Sequence, residues 1–310
     1  MGRWFLFLAV CGLLWSCGAS PLGRVEGVAR LLDQDDPARN RLGAVEVLSV
    51  HELRGPGGFG GISGLSYDGL MVTAVNDSGR WLRFPMAVDA IGRPVAFGLL
   101  QQGGLGGADG GKDHGDAEEL VRVPGGWLVS FEREHRLMLY GDDLSAAPHR
   151  YSVPEGLARQ PANGGVEAMT VLSDGRLLLL SEDGVDGGGH GLAWIGQPGE
   201  WYRLAFARNA DFQPTAVAQM PGGDVLLLER RFDVLSGVAI RLSRIALDDL
   251  RPGGAIQGRE LFILAPPLLV DNYEAMAVRV RSDGRVVVYL VADDNFNPIQ
   301  KTLLMSVIID

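Results

Sequence analysis

Residues 166–182 read VEAMTVLSDGRLLLLSE, two apolar runs joined by the turn Asp174-Gly175. The first run begins at Glu167 and the second ends at Glu182. Short apolar runs bounded by turn residues are typical of β-strands, and Gly supplies the positive φ that a tight hairpin turn needs. The stretch therefore predicts an antiparallel hairpin with one acid at each of its two open ends.

The same pattern recurs along the chain. The other copies start at Ser63, Glu119, Thr215 and Glu274, and their second runs end at Asn76-Asp77, Glu132, Glu229 and Asp293-Asp294. The starts recur about every fifty residues, which is enough for one four-stranded propeller blade. We therefore predict an all-β protein, a β-propeller of about five four-stranded blades. A sixth blade would be required if the long stretch 84–115 held a further repeat.

Two strands at the ends of the chain complete this picture. The last unit offers only 302–309 as a third strand, whereas the early run 44–53 belongs to no unit. If the early strand joins the last blade as its fourth, the ring closes and its open edges disappear.

The N-terminus predicts export. Arg3 precedes an apolar run, 4–15, and small residues follow as far as Ala19. This order is typical of a cleaved secretory signal, and the run is shorter than the about 20 residues that span a bilayer. We assign 1–19 to a signal peptide, or to a lipoprotein signal that ends before an acylated Cys17. Residues 20–40 would be a linker and 41–310 a single domain. The predicted location is periplasmic or secreted, with a membrane anchor only through Cys17.

Composition excludes several classes of function. Cys11 and Cys17 are the only cysteines, so a processed chain has no disulfide and no thiolate metal site. The net charge of −10 comes from dispersed acids, which disfavours nucleic acid as a partner. Ser63 lies in GISGL, which lacks the second Gly of a serine-hydrolase elbow. We expect a monomer whose partner is a small anionic substrate or ligand.

The repeat places its acids at one end of the propeller. In a hairpin the start of the first strand and the end of the second lie together, so these residues should surround one mouth of the channel. Clustered carboxylates repel one another unless protons, cations or a metal relieve them, and oxygen ligands favour Ca²⁺ or Mg²⁺. The predicted Ca²⁺ ligands are Asp77, Asp116, Glu119, Glu132, Glu167, Glu182, Glu229, Asp271, Glu274, Asp293, Asp294 and Asn295.

Cations follow several of these acids, namely Arg80, Arg133, Arg230 and Lys301. One interpretation is that they form ion pairs between blades. The other is that they act with the metal to hold an anion. On the second interpretation the candidate catalytic residues are Glu119, Glu167 and these four cations. The loops 103–116 and 183–191, with His114 and His190, could reach over the mouth.

Several ordered motifs together resemble the bacterial phytase-like family named "esterase-like activity of phytase". They include 76–81 (NDSGRW), 163–169 (NGGVEAM), 228–232 (LERRF), 271–275 (DNYEA) and 293–297 (DDNFN). The resemblance implies an exported propeller, and propeller phytases use calcium in an acidic mouth to hydrolyse phosphomonoesters. One departure is that an Asp-Arg-Gly type of segment reads Asp77-Ser78-Gly79-Arg80 here.

The leading hypothesis is therefore an exported, metal-dependent hydrolase of phosphoesters or related esters, in which Ca²⁺ assists the attack of water. A second hypothesis is a non-catalytic propeller that binds a ligand or partner at the cell envelope. A third is a lactonase-like hydrolase of sugar esters. Because Ser63 and Thr215 replace Glu in two copies, the site is expected near Glu119, Glu167 and Glu274 and off the channel axis.

Overall fold

A computed structural model describes residues 23–108, 111–161, 164–208 and 211–309. The strands in chain order are β1 (Glu26–Arg30), β2 (Arg41–Leu42), β3 (Val45–Arg54), β4 (Ile62–Tyr67), β5 (Met71–Asn76), β6 (Arg80–Val88), β7 (Pro94–Phe97), β8 (Gln101–Gly104), β9 (Ala117–Val123), β10 (Gly126–Phe131), β11 (Arg136–Tyr140), β12 (His149–Tyr151), β13 (Val166–Val171), β14 (Leu177–Val185), β15 (Gly191–Gln197), β16 (Glu200–Phe206), β17 (Gln213–Gln219), β18 (Val225–Asp233), β19 (Gly237–Ile245), β20 (Ala255–Ile256), β21 (Arg259–Leu264), β22 (Asn272–Val280), β23 (Val286–Asp293) and β24 (Leu303–Ile309). The short helices are α1 (Lys112–Gly115) and two 3₁₀ turns, Leu157–Arg159 and Leu247–Asp249.

The strands form five sheets, and each sheet is one blade of a propeller. Written from the innermost strand outward, blade 1 is β4-β5-β6-β7, blade 2 is β9-β10-β11-β12, blade 3 is β13-β14-β15-β16, blade 4 is β17-β18-β19-β21 and blade 5 is β22-β23-β24-β3. Each innermost strand contacts the innermost strands of the two neighbouring blades, so the five surround a central channel. The predicted five-bladed propeller is confirmed.

The long stretch 84–115 holds no sixth blade in its described part. It contains the end of β6, then β7 and β8, which both pair with β6, and then the single turn α1. Blade 1 is thus widened by one short strand, and the chain crosses from it to blade 2.

The two ends of the chain meet in blade 5, as the sequence predicted. Strand β3 pairs antiparallel with β24, from Leu303 opposite Glu52 to Ile308 opposite Glu46. Strand β1 adds to the outer edge of β3, and Val25 just before it is buried. Part of the segment 20–40, predicted as a linker, is therefore a strand in the structure, because the edge of β3 needs backbone partners.

The core lies between the blades. On β18, Leu226 and Leu228 pack with blade 5, whereas Val225 and Leu227 pack with blade 3. Both faces of the strand are buried, which explains why its sequence is a continuous apolar run. This packing holds neighbouring blades in fixed positions, so the residues at the channel mouth are set on rigid strands. Among the described residues, no helix is long and apolar enough to cross a membrane.

Candidate functional site

A β-bulge near the start of each innermost strand builds the first layer of the mouth. In blade 3, Val166 pairs with Ser181 and Ala168 with Leu180, so Glu167 is the extra residue. A bulge re-aims the side chain of its extra residue. The same shift occurs in all five blades, at Ser63, Glu118-Glu119, Glu167, Thr215 and Glu274.

The ends of the second strands build the next layer. In blade 3 the second-strand residue that follows the pair next to the bulge, Ser181 with Val166, is Glu182. Counted in the same way from the ladders, the equivalent residues of the five blades are Asp77, Glu132, Glu182, Arg230 and Asp293. The mouth of the channel therefore carries mostly acids, with one arginine contributed by blade 4.

Two overlapping groups of carboxylates stand in this mouth. One carboxylate oxygen from each of Asp116, Glu118 and Glu132 lies within 4.8 Å of the other two. Glu132, Glu167 and Glu182 form a second group with the same spacing. Since Glu132 belongs to both, the two groups form one continuous acidic surface across blades 2 and 3. These oxygens could hold a metal ion.

The protonation of this mouth reflects its burial and its charge. Burial raises the pKa of Glu118 and Glu167 well above the usual range, and neighbouring carboxylates raise both further. Burial likewise raises the pKa of Glu182 to about 7 and, with the Glu274 carboxylate, that of Asp293 to about 9. Without a cation these acids therefore retain protons that exposed carboxyls would release.

Arg230 is the positive charge of the mouth. Its Nη1 lies 3.0 Å from Glu274 and donates to Asn272 Oδ1 at 2.5 Å, and its Nη2 lies 3.4 Å from Glu182. Blade 4 thus bridges blades 3 and 5. The interpretation of the cations as ion pairs between blades is correct for this residue.

The sequence predicts Glu119 as the blade 2 counterpart of Glu167, but the structure assigns that position to Glu118. In blade 2, Ala117 pairs with Phe131, and in blade 3, Val166 occupies the same place opposite Ser181. The residue that follows Ala117, Glu118, is therefore the equivalent of Glu167. Glu119 is buried and accepts the backbone N–H groups of Leu120, at 2.9 Å, and Leu65. It lines the opposite part of the channel, in a cavity of about 300 Å³.

Glu229 also differs from its predicted place by one residue. Its buried carboxylate accepts from Nε and Nη2 of Arg241, at 2.8 and 2.6 Å. Strand side chains alternate between faces, so a shift of one residue turns Glu229 into the blade while Arg230 faces the mouth. The structure therefore places Glu229 in an ion pair within blade 4.

The remaining predicted ligands hold the connection 294–302. Asp271 accepts the Lys301 N–H at 2.9 Å, and Asp294 accepts the N–H of Gly61 at 2.9 Å and the hydroxyl of Thr302 at 2.9 Å. Asn295 is exposed, and its N–H donates to Asp293 at 2.7 Å. Asp77 lies close enough to Glu274 and Asp293 to raise the pKa of both carboxyls.

The other predicted cations have three different environments. Arg133 donates to Asp116 at 2.7 Å, and Lys301 lies 3.6 Å from Glu52 on the outer part of blade 5. Arg80, in contrast, forms no ion pair with any residue in the described ranges, and its buried Nε has no hydrogen-bond partner there. Of the four cations, only Arg80 keeps a guanidinium whose charge is not balanced by an acid in the described chain.

In each of the two histidine loops the imidazole lies beside an acid. His114 lies 3.1 Å from Glu134, and His190 lies 3.3 Å from Asp186. Asn163, at the start of one of the motifs, lies outside the described residues.

The chain is thus an all-β, five-bladed propeller with an acidic channel mouth. A family model described as "Phytase-like: Esterase-like activity of phytase" matches residues 57–296, and the chain belongs to this family. No curated protein matches the chain.

Solved structures with a related arrangement include an endo-arabinase from Bacteroides thetaiotaomicron, at 12% identity and a TM-score of 0.47 over 76% of this chain and 88% of that one. An α-L-arabinanase from Penicillium chrysogenum has 11% identity and a TM-score of 0.45 over 80% and 93%. A Dyadobacter fermentans protein of unknown function has 13% identity and a TM-score of 0.44 over 93% and 91%. At these values none of the three bears on the function.

Proposed function

We propose that the protein is an exported, metal-dependent hydrolase of phosphoesters or related esters. The observation that carries the proposal is the two clusters of three acids that share Glu132. Within each cluster, one carboxylate oxygen of every acid lies within 4.8 Å of those of the other two. Membership of the phytase-like family is consistent with this activity. The predicted signal at 1–19 supports export, with or without a lipid anchor on Cys17.

The donor set fits a calcium ion. Asp116, Glu118, Glu132, Glu167 and Glu182 offer only oxygen, which suits a hard cation such as Ca²⁺. A cation bound there would also replace the protons that these mutually repelling acids retain. When bound, Ca²⁺ would supply a Lewis acid for the substrate oxygen and a more acidic water.

Arg80 is the residue best suited to bind the substrate anion. Its guanidinium, which no acid of the described residues balances, can form charge-assisted hydrogen bonds to a phosphate or carboxylate. Gly58, whose φ is 87°, lies beside this side chain, since a Cβ there would be 3.8 Å from Arg80 Nε and 3.3 Å from Gln102 Oε1. Arg133 and Arg230 are paired with acids and instead position the carboxylates around them.

The test is hydrolysis of a panel of phosphomonoesters and carboxylic esters by the full chain, first with EDTA and then with added Ca²⁺. We expect Ca²⁺-dependent turnover that Glu132→Gln abolishes. Arg80→Gln should raise KM for an anionic substrate at least about tenfold, because it removes a charged hydrogen bond. Arg159→Gln, which breaks an exposed pair with Glu155, is the matched control and should leave KM unchanged.

A non-catalytic binding propeller is the second candidate. It is favoured by the pairing of Arg133, Arg230 and Lys301 with acids, which leaves fewer cations for the transition state. Calcium-dependent stabilisation without turnover on the whole panel would support this candidate and contradict the hydrolase.

A further inference from the structure

A cavity of about 180 Å³ lies between blades 5 and 1, at the far end of the propeller from the acidic mouth. Strands β4 and β22 both begin at the mouth, so their ends and the turns that follow them lie on the opposite face. These turns and the connection between β6 and β7 supply most of the cavity wall. The described residues that line it include none of the acids and cations proposed above for calcium or substrate.

Two arginines of blade 5 line the cavity and reach toward blade 1. Arg279 and Arg281 are two residues apart, so their side chains leave the extended chain on the same face, with Cα atoms roughly 7 Å apart. Arg279 donates to the carbonyl oxygen of Asp68, and its guanidinium carbon lies 5.7 Å from the centroid of the Tyr67 ring. Arg281 Nη1 donates to the carbonyl oxygen of Ile91 at 3.3 Å. The two guanidinium groups therefore converge on one side of the cavity.

Arg281 departs from the repeat in a way that the fold does not require. In blades 3, 4 and 5 the same hairpin position is occupied by Leu172, Met220 and Arg281. Its N–H donates to the carbonyl four residues further on, at 2.7, 2.8 and 2.9 Å. Leu172 and Met220 are buried apolar side chains, whereas Arg281 has a buried Nε with no hydrogen-bond partner among the described residues. A buried donor without an acceptor is destabilising, and an anion in the cavity is the acceptor that this guanidinium lacks.

The acids beside the cavity leave an excess of positive charge. Asp283 lies 3.0 Å from Arg281 and 3.1 Å from Arg285, so two arginines share one carboxylate. Asp89 pairs with Arg93 at 2.8 Å. The arginines of this region outnumber its acids, since Arg93, Arg279, Arg281 and Arg285 stand beside Asp68, Asp89 and Asp283.

From the cavity, the two converging arginines and the departure from the repeat, we infer that this cavity binds a phosphate group of a small molecule. Two guanidinium groups on one face can donate to different oxygens of a tetrahedral anion, whereas the two coplanar oxygens of a carboxylate match a single guanidinium. The volume of about 180 Å³ admits inorganic phosphate or the end of a small phosphomonoester. The inference does not depend on the reaction proposed above, because the cavity lies at the other end of the channel.

The test is calorimetric titration of the full chain with inorganic phosphate at constant ionic strength. The protein carries Arg80→Gln, which removes the anion site proposed at the mouth, and EDTA prevents metal-dependent turnover. We expect one phosphate to bind per chain. Arg281→Leu, which introduces the residue type that blade 3 has at this position, should weaken the affinity at least about tenfold, because a charged hydrogen bond is lost. Arg279→Gln should weaken it similarly.

The matched control is Arg285→Gln, which removes an exposed positive charge from the same hairpin. It should change the affinity by less than about twofold, since exposed charges are screened by solvent and salt. Equal weakening by Arg281→Leu and Arg285→Gln would indicate general attraction to a basic surface and would overturn the inference.

Thermal unfolding separates binding from a purely structural role of Arg281. Phosphate should raise the Tm of the Arg80→Gln protein, because a ligand of the native state stabilises it, and should have no such effect once Arg281→Leu is added. If phosphate leaves the Tm of the Arg80→Gln protein unchanged and Arg281→Leu lowers it, the arginine only ties blade 5 to blade 1 and the inference is wrong.

A comparison of anions identifies the source of the phosphate group. Tighter binding of glycerol phosphate than of inorganic phosphate would assign the cavity to an ester, and the reverse order would assign it to free phosphate. Succinate should bind at least about tenfold more weakly than either, because its planar carboxylates cannot engage both arginines equally well. Succinate binding as tight as that of phosphate, or no binding of either phosphate compound, would contradict a phosphate site.

Discussion

Arg230 Nη1 lies 3.0 Å from Glu274 Oε1, so the arginine of blade 4 neutralises the bulged acid of blade 5. The same guanidinium reaches Glu182 of blade 3. At the position where the other blades have an acid, blade 4 thus provides a counter-charge. The contacts of this cation lie on blades 3 and 5, whereas on the blade 2 side of the mouth Arg133 pairs with Asp116.

Removing this cation should destabilise the ring. We expect Arg230→Gln to lower the free energy of unfolding in EDTA by about 2 kcal/mol, less than for a fully buried pair because the side chain is 26% exposed. The measurement is urea unfolding followed by tryptophan fluorescence. Arg159→Gln, which breaks an exposed pair, should change stability by less than about 0.5 kcal/mol. Equal effects of the two substitutions would show that Arg230 has no structural role.

Calcium binding should distinguish two adjacent glutamates. Calcium should raise the Tm relative to EDTA, because a ligand that binds only the native state stabilises it. Glu118→Gln removes a carboxylate of the first group and should weaken the apparent calcium affinity at least about tenfold. Glu119→Ala should lower the Tm, because the N–H groups of Leu120 and Leu65 lose their acceptor, but it should leave the affinity unchanged. A weakened calcium affinity in the Glu119 variant, with an unchanged affinity in the Glu118 variant, would show that Glu119 is the counterpart of Glu167 after all.

Stability in EDTA should fall as the pH rises. The pKa of Glu182 is raised from 4.5 to about 7 and that of Asp293 from 3.8 to about 9. The native state therefore holds protons that the unfolded chain releases near pH 4. This contribution is complete below about pH 4 and is lost as the pH rises through 7 toward 9. Tm values measured from pH 5 to 9 should decline in EDTA and decline less with Ca²⁺. A Tm that rises over this range would contradict the assignment.

Glu229 should behave as a structural residue. Glu229→Gln breaks a buried bidentate pair with Arg241, and we expect a loss of about 3 kcal/mol in urea unfolding. The double variant Glu229→Leu, Arg241→Met should recover at least half of that loss, because it leaves no unpaired charge. Both proteins should keep the wild-type calcium affinity in titrations monitored by Tm. A large fall in affinity would place Glu229 among the ligands after all.

The architecture of this chain could be predicted because its signals are local. Each hairpin can be recognised in the sequence from two apolar runs joined by a glycine turn. One such glycine is Gly175, whose φ of 87° only glycine adopts readily. The closing strand was also predictable, since one unit lacked a fourth strand and one early strand lacked a unit. The addition of β1 to the sheet could not be predicted, because its five residues show no clear apolar alternation and so carry little signal for a strand.

The sequence by itself indicated a propeller of about five blades, the closure of the ring and the end of the channel at which the acids gather, and the structure of 84–115 decided against a sixth blade in its described part. Only the tertiary structure decided that Glu118 and Arg230, and not Glu119 and Glu229, face the mouth. The physical reason is that strand side chains alternate with a period of two, so a bulge or a one-residue error in alignment reverses the face. The tertiary structure also decided which acids Arg230 compensates. Glu182 and Glu274 reach Arg230 from two other blades, through contacts that no local sequence pattern encodes.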